Sequence, residues 1–284
     1  MKTGIHQHVF TSRLTKENLD ILNMVSEMGF DSMDINIRVL DLETAKEIGQ
    51  RAKKLNLNLV GGGSIPSNKM LLSEDPAERQ EAVNYMKSLI DTVYAIGSNY
   101  YSGLISAPSG YFTGAGPTEK ELEYSAQGLK SAAKYAQDFD IKLCIEPVNR
   151  YESYVINTID SALDLIANIS EPNVGLLIDT YHMNIEEKTF RDPILKAGKK
   201  IFLVHVNEND RGTPGKGHLN WDEIFMALKD ARYNNIVTIE SFAESSVDIS
   251  RLVAIWRRLA PSPDYLAAEG LKFIKAMLEK YGFN

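Results

Sequence analysis

Short apolar runs alternate along the chain with longer segments in which apolar residues recur every three or four positions. Runs of the first kind predict buried strands, and segments of the second kind predict amphipathic helices. Eight runs are predicted as strands: residues 3–10, 32–37, 56–60, 100–105, 142–148, 174–179, 201–206 and 236–242. Seven segments are predicted as helices: residues 16–28, 42–55, 76–96, 118–139, 158–168, 221–231 and 264–281.

This alternation predicts a parallel sheet, because a crossover between parallel strands needs a helix. The strands are continuous apolar runs, as expected when both faces of a sheet are covered. For a chain of 284 residues, we predict an α/β fold with one domain over residues 1–284, a closed (β/α)8 TIM barrel. An open doubly wound sheet is the alternative. That fold more often has a Gly-rich phosphate turn after its first strand, and the segment GIHQHVFTSR has none.

Composition narrows the class of protein. The chain is 44% hydrophobic and 24% charged, which is typical of a globular protein. It has no run of ~20 apolar residues and no apolar signal-peptide core, so we expect no membrane partner. Its single cysteine, Cys144, precludes an internal disulfide and favours the cytoplasm. The net charge of -7 argues against a nucleic acid partner and leaves small neutral substrates open.

Polar residues stand at the ends of four consecutive predicted strands, the fifth to the eighth. They are Glu146, Asp179, His205 and Glu240. Functional side chains of TIM barrels lie at these carboxyl ends, so the four should converge. Three carboxylates repel one another, and we find no sufficient positive charge near them in the sequence. A divalent cation would resolve this, and three oxygens with one imidazole suit Mn²⁺, Mg²⁺ or Co²⁺.

Three further residues flank this set. Glu152 lies after the fifth strand, His182 follows Asp179 by three residues, and Arg211 lies in a long loop after the seventh strand. That loop could cover the barrel mouth as a partial lid. Histidine and arginine can donate hydrogen bonds to substrate oxygens. As alternatives, Arg211 is a solvated loop charge and His182 packs at a helix start.

The first and third strands carry weaker signals. His6 and His8 are two residues apart on the first predicted strand and should share one face. One of them could reach a pocket, although a core role is as consistent, and we assign neither to a metal. Gly61, Gly62 and Gly63 follow the third predicted strand, where we expect a tight loop that leaves room for a ligand.

Four segments carry a resemblance to a known family: EPVNRYESYVINT, LLIDTYHMNIEE, HVNENDRGTPGKGHLNW and VTIESF. They resemble the ketose 3-epimerases, the D-tagatose and D-psicose (allulose) 3-epimerase group of the xylose-isomerase-like barrel superfamily. The similarity covers essentially the whole chain. It implies an isomerase that is a homodimer or homotetramer. The implied reaction is metal-dependent epimerisation of a free ketose at C3 through a cis-enediolate.

The resemblance also implies roles for residues. An ion, Mn²⁺ before Co²⁺ or Mg²⁺, is held by the four strand-end residues, and two of these, Glu146 and Glu240, double as the acid/base pair. The first hydroxyls and the carbonyl of the open-chain ketose are held by Glu152, His182 and Arg211. His6 stands where relatives commonly carry an aromatic residue, so it is a candidate substrate contact, and Phe242 is another.

Other functions are compatible with the same barrel. An aldose–ketose isomerase, or an epimerase of a related polyol or keto-acid, would use the same metal. An endonuclease-IV-like repair enzyme would need a basic groove and more than the five histidines present. A sugar-binding barrel without activity is a third alternative. Sugar phosphates are less expected, because barrel phosphate sites use loops after strands seven and eight, and the last such loop, ESFAESSVDIS, is acidic.

Overall fold

The protein is described by a computed structural model that covers residues 1–242, 250–251 and 253–283. Eight parallel strands follow one another in chain order and form a closed barrel, which the pairing of the first strand with the last completes. The predicted TIM barrel is therefore confirmed. The strands are β1 Lys2–His6, β2 Ser32–Asn36, β3 Asn58–Gly62, β4 Tyr100–Gly103, β5 Lys142–Ile145, β6 Val174–Asp179, β7 Ile201–His205 and β8 Ile236–Ile239.

Helices surround the barrel. In the described residues they are α1 Asp20–Glu27, α2 Leu42–Lys54, α3 Pro76–Ala95, α4 Glu119–Gln137, α5 Ile159–Ile169, α6 Thr180–Glu186, α7 Arg191–Ala197, α8 Trp221–Asp230 and α9 Pro263–Lys280. Several begin where the sequence supplies a cap, because the side chains of Asp41, Asp75, Thr118 and Thr158 accept backbone N–H groups of the first turn. Across these described segments, no helix is both long and apolar enough to cross a bilayer.

Two helices, α6 and α7, were not predicted. Each has seven residues, which is too short to show a helical period. In addition, α6 begins directly after β6, and Asp179, the last residue of β6, is its N-cap. No turn separates this strand from the helix, so the sequence gives no boundary signal.

The predicted first strand, residues 3–10, is wrong beyond His6. Residues Gln7–Val9 form a 3₁₀ turn instead, so His6 and His8 do not share a strand face. The third strand is displaced as well. Asn56 has a left-handed φ of 53° and ends the preceding turn, and β3 continues to Gly62, so only Gly63 of the three glycines lies outside a strand.

Residues that point into the barrel form two layers. The lower layer is an apolar cluster of Val60, Cys144, Leu177, Leu203 and Ile236. The members on β5, β6 and β7 each precede a polar residue by two positions, and residues two apart on a strand share a face. The polar side chains therefore lie directly above an apolar floor. Burial raises the pKa of the Cys144 thiol, as expected of a core residue.

Candidate active site

The four predicted strand-end residues converge at the carboxyl end of the barrel. Glu146 and Glu240 directly follow β5 and β8, while Asp179 and His205 end β6 and β7. All four are buried, and one potential ligand atom from each lies within 4.8 Å of the others. His205 Nδ1 is 3.9 Å from the Glu146 carboxylate and 3.7 Å from those of Asp179 and Glu240. The imidazole nitrogen thus faces three carboxylates.

The donor set fits a cation. Nδ1 of His205 is buried and has no hydrogen-bond partner, and its distances to the carboxylates are too long for hydrogen bonds. Repulsion among the carboxylates and the unpartnered nitrogen would both be relieved by one divalent ion between them. Oxygen and imidazole donors suit Mn²⁺, Co²⁺ and Mg²⁺, in keeping with the absence of a thiolate from the cluster.

Asp34 supports His205 from the opposite side. His205 Nε2 is 3.0 Å from Asp34 Oδ2, and the hydroxyl of Thr238 donates to Asp34 Oδ1 at 3.0 Å. A carboxylate at Nε2 holds the ring proton there and directs the Nδ1 lone pair toward the cluster. Sequence analysis missed Asp34. Its only signal was an acid inside the apolar run 32–37.

Asp179 is fixed as an anion. One of its oxygens accepts the backbone N–H groups of Tyr181 at 2.7 Å and His182 at 3.3 Å, and the other accepts the Asn207 side chain at 2.5 Å. Burial alone would raise the pKa of Asp179, but the positive charge of Arg211 helps to hold it well below its usual range. Asp179 therefore carries its charge across the working pH range.

Arg211 balances part of the negative charge. Its guanidinium donates to Glu240 at 2.5 Å and to Glu152 at 3.2 Å, and it is 2% exposed. The expectation that no nearby positive charge offsets the carboxylates is therefore wrong in part, because the loop after β7 folds inward. The guanidinium carbon also lies 4.3 Å from the centre of the Tyr181 ring and 4.9 Å from that of Phe242. Arg211 is not a solvated loop charge.

His182 is a buried imidazole whose two ring nitrogens both face N–H groups. The backbone N–H of Asn149 donates to its Nδ1 at 3.1 Å, and Nε2 lies 3.2 Å from a guanidinium nitrogen of Arg211, which can only donate. Burial lowers the pKa of His182, so the ring remains uncharged. Nε2 lies 3.8 Å from the Glu146 carboxylate and lines the cavity. Asn149 also donates to Glu152 at 3.1 Å, and the sequence gave no signal for this dual role.

The loop after β7 is held by a buried carboxylate. Glu208 accepts the backbone N–H groups of Gly215 at 2.9 Å and Leu219 at 3.0 Å, and the Trp221 indole N–H at 2.9 Å. Arg211 adopts a left-handed φ of 60° in this loop. Such a conformation costs ~1–3 kcal/mol for a residue other than glycine, and it persists where surrounding contacts enforce it. The loop's internal hydrogen bonds therefore position the guanidinium.

A cavity of about 360 Å³ opens above the cluster. His6, His8 and Phe242 line one wall, with the His8 and Phe242 ring centres 5.5 Å apart and the rings stacked. The backbone N–H of His8 donates to His6 Nδ1 at 3.1 Å. Burial lowers the pKa of both histidines, that of His8 to about 4, so this wall is uncharged at neutral pH.

Comparison with known proteins agrees with this architecture. A family model for the xylose isomerase-like TIM barrel matches residues 22–277. The chain is 32% identical over 286 residues to a ketose 3-epimerase of Arthrobacter globiformis, covering 98% of this chain and 97% of that one. It is 32% identical over 267 residues to the D-psicose 3-epimerase of Enterocloster bolteae, covering 92% and 89% of the two chains.

Solved structures give the same result. A structure of an L-ribulose 3-epimerase superposes with a TM-score of 0.94 at 29% identity, covering 99% of this chain and 95% of that one. A D-allulose 3-epimerase from Methylomonas sp., solved in complex with D-allulose, gives 0.91 at 28% identity, covering 98% and 97%. The chain belongs to the ketose 3-epimerase family of xylose isomerase-like TIM barrels.

Proposed function

We propose that this protein epimerises a ketose at C3 with the help of a divalent metal ion. The observation that carries the proposal is the buried cluster in which His205 Nδ1 faces three carboxylates without a hydrogen-bond partner. Glu146, Asp179, His205 and Glu240 would hold the ion, with Mn²⁺ favoured and Co²⁺ or Mg²⁺ as alternatives. The named activities of the relatives support the sugar class.

Inversion at C3 requires loss of a proton next to the C2 carbonyl and its return on the other face. The resulting cis-enediolate carries negative charge on oxygen, which is the main obstacle. When bound, a divalent ion supplies Lewis-acid stabilisation of that charge. The remaining work is proton transfer and orientation, and both belong to side chains of this chain.

Glu146 and Glu240 form the proposed acid/base pair. One carboxylate removes the C3 proton, and the other, protonated, delivers a proton from the opposite face. Burial raises the pKa of Glu146 well above its usual range, and the Glu240 charge adds to this effect. Burial also raises the pKa of Glu240, while the Arg211 charge opposes it. A bound cation would lower both pKa values, and the two groups would then share one proton, which suits exchange of roles in the reverse reaction.

The flanking residues orient the sugar. His182 lines the cavity, and Arg211 presents guanidinium N–H groups beside Glu152. We propose that these three bind the first hydroxyls and the carbonyl of the open-chain ketose. His6 and Phe242, whose ring centres are 6.3 Å apart, provide an uncharged wall for the carbon chain.

We also infer that the chain is one domain, functions in the cytoplasm and is a homodimer or homotetramer. The lone buried cysteine supports the location, since it needs no oxidising compartment. The family resemblance is the basis for the oligomer, and Trp256, which is 73% exposed, is available to a contact between copies.

The activity is tested with chelated protein to which Mn²⁺ is added back, incubated with D-fructose, D-tagatose and L-ribulose. We expect C3 epimers as the products by NMR, and restoration of turnover by the metal. Formation of aldoses would instead support an aldose–ketose isomerase. No conversion of any ketose at saturating Mn²⁺ would refute the proposed function.

Asp34→Asn is expected to weaken Mn²⁺ binding by about 10–100-fold, because the carboxylate that fixes the His205 ring is lost. Competition with a fluorescent chelator measures this affinity without reference to turnover. Thr238→Val is the matched control: it removes one hydrogen bond to Asp34 but keeps the contact with His205, so the loss should be smaller. Unchanged affinity in a folded Asp34→Asn protein would show that His205 needs no such support.

A further inference from the structure

Arg38 lines the same cavity as the metal cluster but has no anionic partner there. It lies in the 3₁₀ turn Ile37–Val39 that follows β2. Its Nε is buried and makes no hydrogen bond. Among the described residues, Arg38 forms no ion pair. Five other arginines do: Arg51, Arg150, Arg191, Arg211 and Arg257.

Local structure rather than charge positions this side chain. The Asn36 side chain accepts the backbone N–H of Arg38 at 3.2 Å and so shapes the turn. The aliphatic stem packs on Gly63, where an added Cβ would lie 3.1 Å from Arg38 Cγ. Burial raises the pKa of nearby Tyr101, so this phenol stays neutral and does not balance the guanidinium. A buried donor without a partner costs ~1–3 kcal/mol, which a ligand could recover.

Arg38 lies across the barrel mouth from His182. Since neighbours in the barrel follow chain order, β2 lies across the barrel from β6. Glu152, His182 and Arg211 follow β5, β6 and β7, and they are proposed to hold the C1–C2 end of the sugar. With the C1–C2 end held there, the other end of the sugar would extend toward Arg38, which lines the same cavity. Arg211 is neutralised by Glu240 and Glu152, whereas no described carboxylate pairs with Arg38.

We propose that Arg38 binds an anionic group at the end of the ketose remote from C1, so that the preferred substrate carries a terminal phosphate or carboxylate. A guanidinium pairs with either group through two parallel N–H bonds. Asn36, Ser64 and Ser109 line the same cavity and add polar groups. This inference rests on the proposed ketose epimerase function and refines its substrate class.

The inference revises the expectation of a free ketose. The free ketose was implied by the family resemblance, and the argument against sugar phosphates was the acidic loop ESFAESSVDIS after β8, of which residues 243–249 lie outside the described part of the chain. Barrel phosphate sites are common in the loops after strands seven and eight, and the argument against sugar phosphates concerned those loops alone. The unpaired guanidinium of Arg38 lies after β2 instead.

A matched series of sugars tests the inference: D-fructose, D-fructose 6-phosphate, D-fructuronate with its carboxylate at C6, and D-fructose 1-phosphate. With Mn²⁺ present, we expect kcat/KM for at least one of the C6 anions to exceed that for D-fructose by about 10–100-fold, the range of a charge-assisted contact. The phosphate and carboxylate arms identify the source of the charge. D-fructose 1-phosphate should show no advantage, because its anion lies at the wrong end.

Variants separate the role of Arg38 from a general charge effect. Arg38→Met keeps the length of the stem and should abolish the preference for the C6 anion. Arg191→Met is the control, since Arg191 is a partly exposed arginine paired with Asp230 at 2.7 Å, and it should keep the preference. An equal or higher kcat/KM for D-fructose in the wild type, or a preference that survives Arg38→Met, would overturn the inference.

Calorimetric binding of D-fructose 6-phosphate distinguishes this failure from failure of the proposed function. If no sugar is epimerised but binding is lost in Arg38→Met, the anion site stands and the epimerase proposal falls. If D-fructose is epimerised and Arg38→Met binds D-fructose 6-phosphate like the wild type, the anion site alone is refuted.

Discussion

Glu146→Gln is expected to reduce kcat by about 10²–10⁴-fold or more while the barrel stays folded, because one of the two proton-transfer groups is lost. Glu240→Gln should have an effect of the same order. Glutamine keeps the shape and an oxygen donor, so the buried site loses charge and acid/base function with little change in volume. Chromatographic assay of C3 epimers at saturating Mn²⁺ gives the rate, and circular dichroism confirms the fold.

Two comparisons make this result interpretable. Glu123→Gln is the matched control, since Glu123 is an exposed residue of α4, and it should retain the wild-type rate. Metal affinity measured for each variant separates loss of the ion from loss of proton transfer. Near-wild-type turnover by either site variant would rule out the two-base scheme.

Removal of the metal is expected to abolish turnover and to lower the melting temperature, by an amount that grows as pH rises from about 5 to 8. A ligand at about 1,000 times its Kd stabilises the folded state by ~4 kcal/mol, or roughly 8 °C for a chain of this size. The ion also competes with protons for the cluster, so its affinity should rise with pH.

The sign of this pH dependence follows from the shifted pKa values of Glu146 and Asp179. Burial, with the Glu240 charge in addition, raises the folded pKa of Glu146 above the unfolded value, so its contribution to metal-free stability is present below about pH 4.3 and is lost as pH rises through the folded pKa. Asp179 acts in the opposite direction, because its pKa is lowered, but only below about pH 4. Differential scanning fluorimetry with and without Mn²⁺ measures the difference in melting temperature between the two forms. If this difference becomes smaller as pH rises from 5 to 8, the carboxylate cluster is not the binding site of the metal.

The positions of the two glutamates could be predicted because a barrel converts sequence period into geometry. A polar residue at the end of each of four consecutive apolar runs must face the barrel mouth, whatever the loops do. The same logic missed Asp34, which acts from inside a strand on the opposite side of the barrel and contacts His205 across 171 positions of sequence. No local pattern encodes a contact at that separation.

The loops show more clearly which features cannot be predicted from the sequence. The sequence placed Arg211 after β7 but could not show that its guanidinium turns inward to Glu240. That direction depends on a left-handed backbone and on Glu208, which ties the loop to Trp221. The unpartnered state of Arg38 was equally invisible, since a missing partner is a property of packing and not of spacing.

The sequence by itself determined the barrel, the order of its strands and the four side chains at their carboxyl ends, because hydrophobic period and strand direction act locally. The tertiary structure alone decided which of those groups are neutralised and which nitrogen of His205 faces the carboxylates. It also decided that the guanidinium of Arg38 is left without an ion pair in the cavity. These depend on burial and on distances between residues far apart in the chain, and electrostatic energies vary with both.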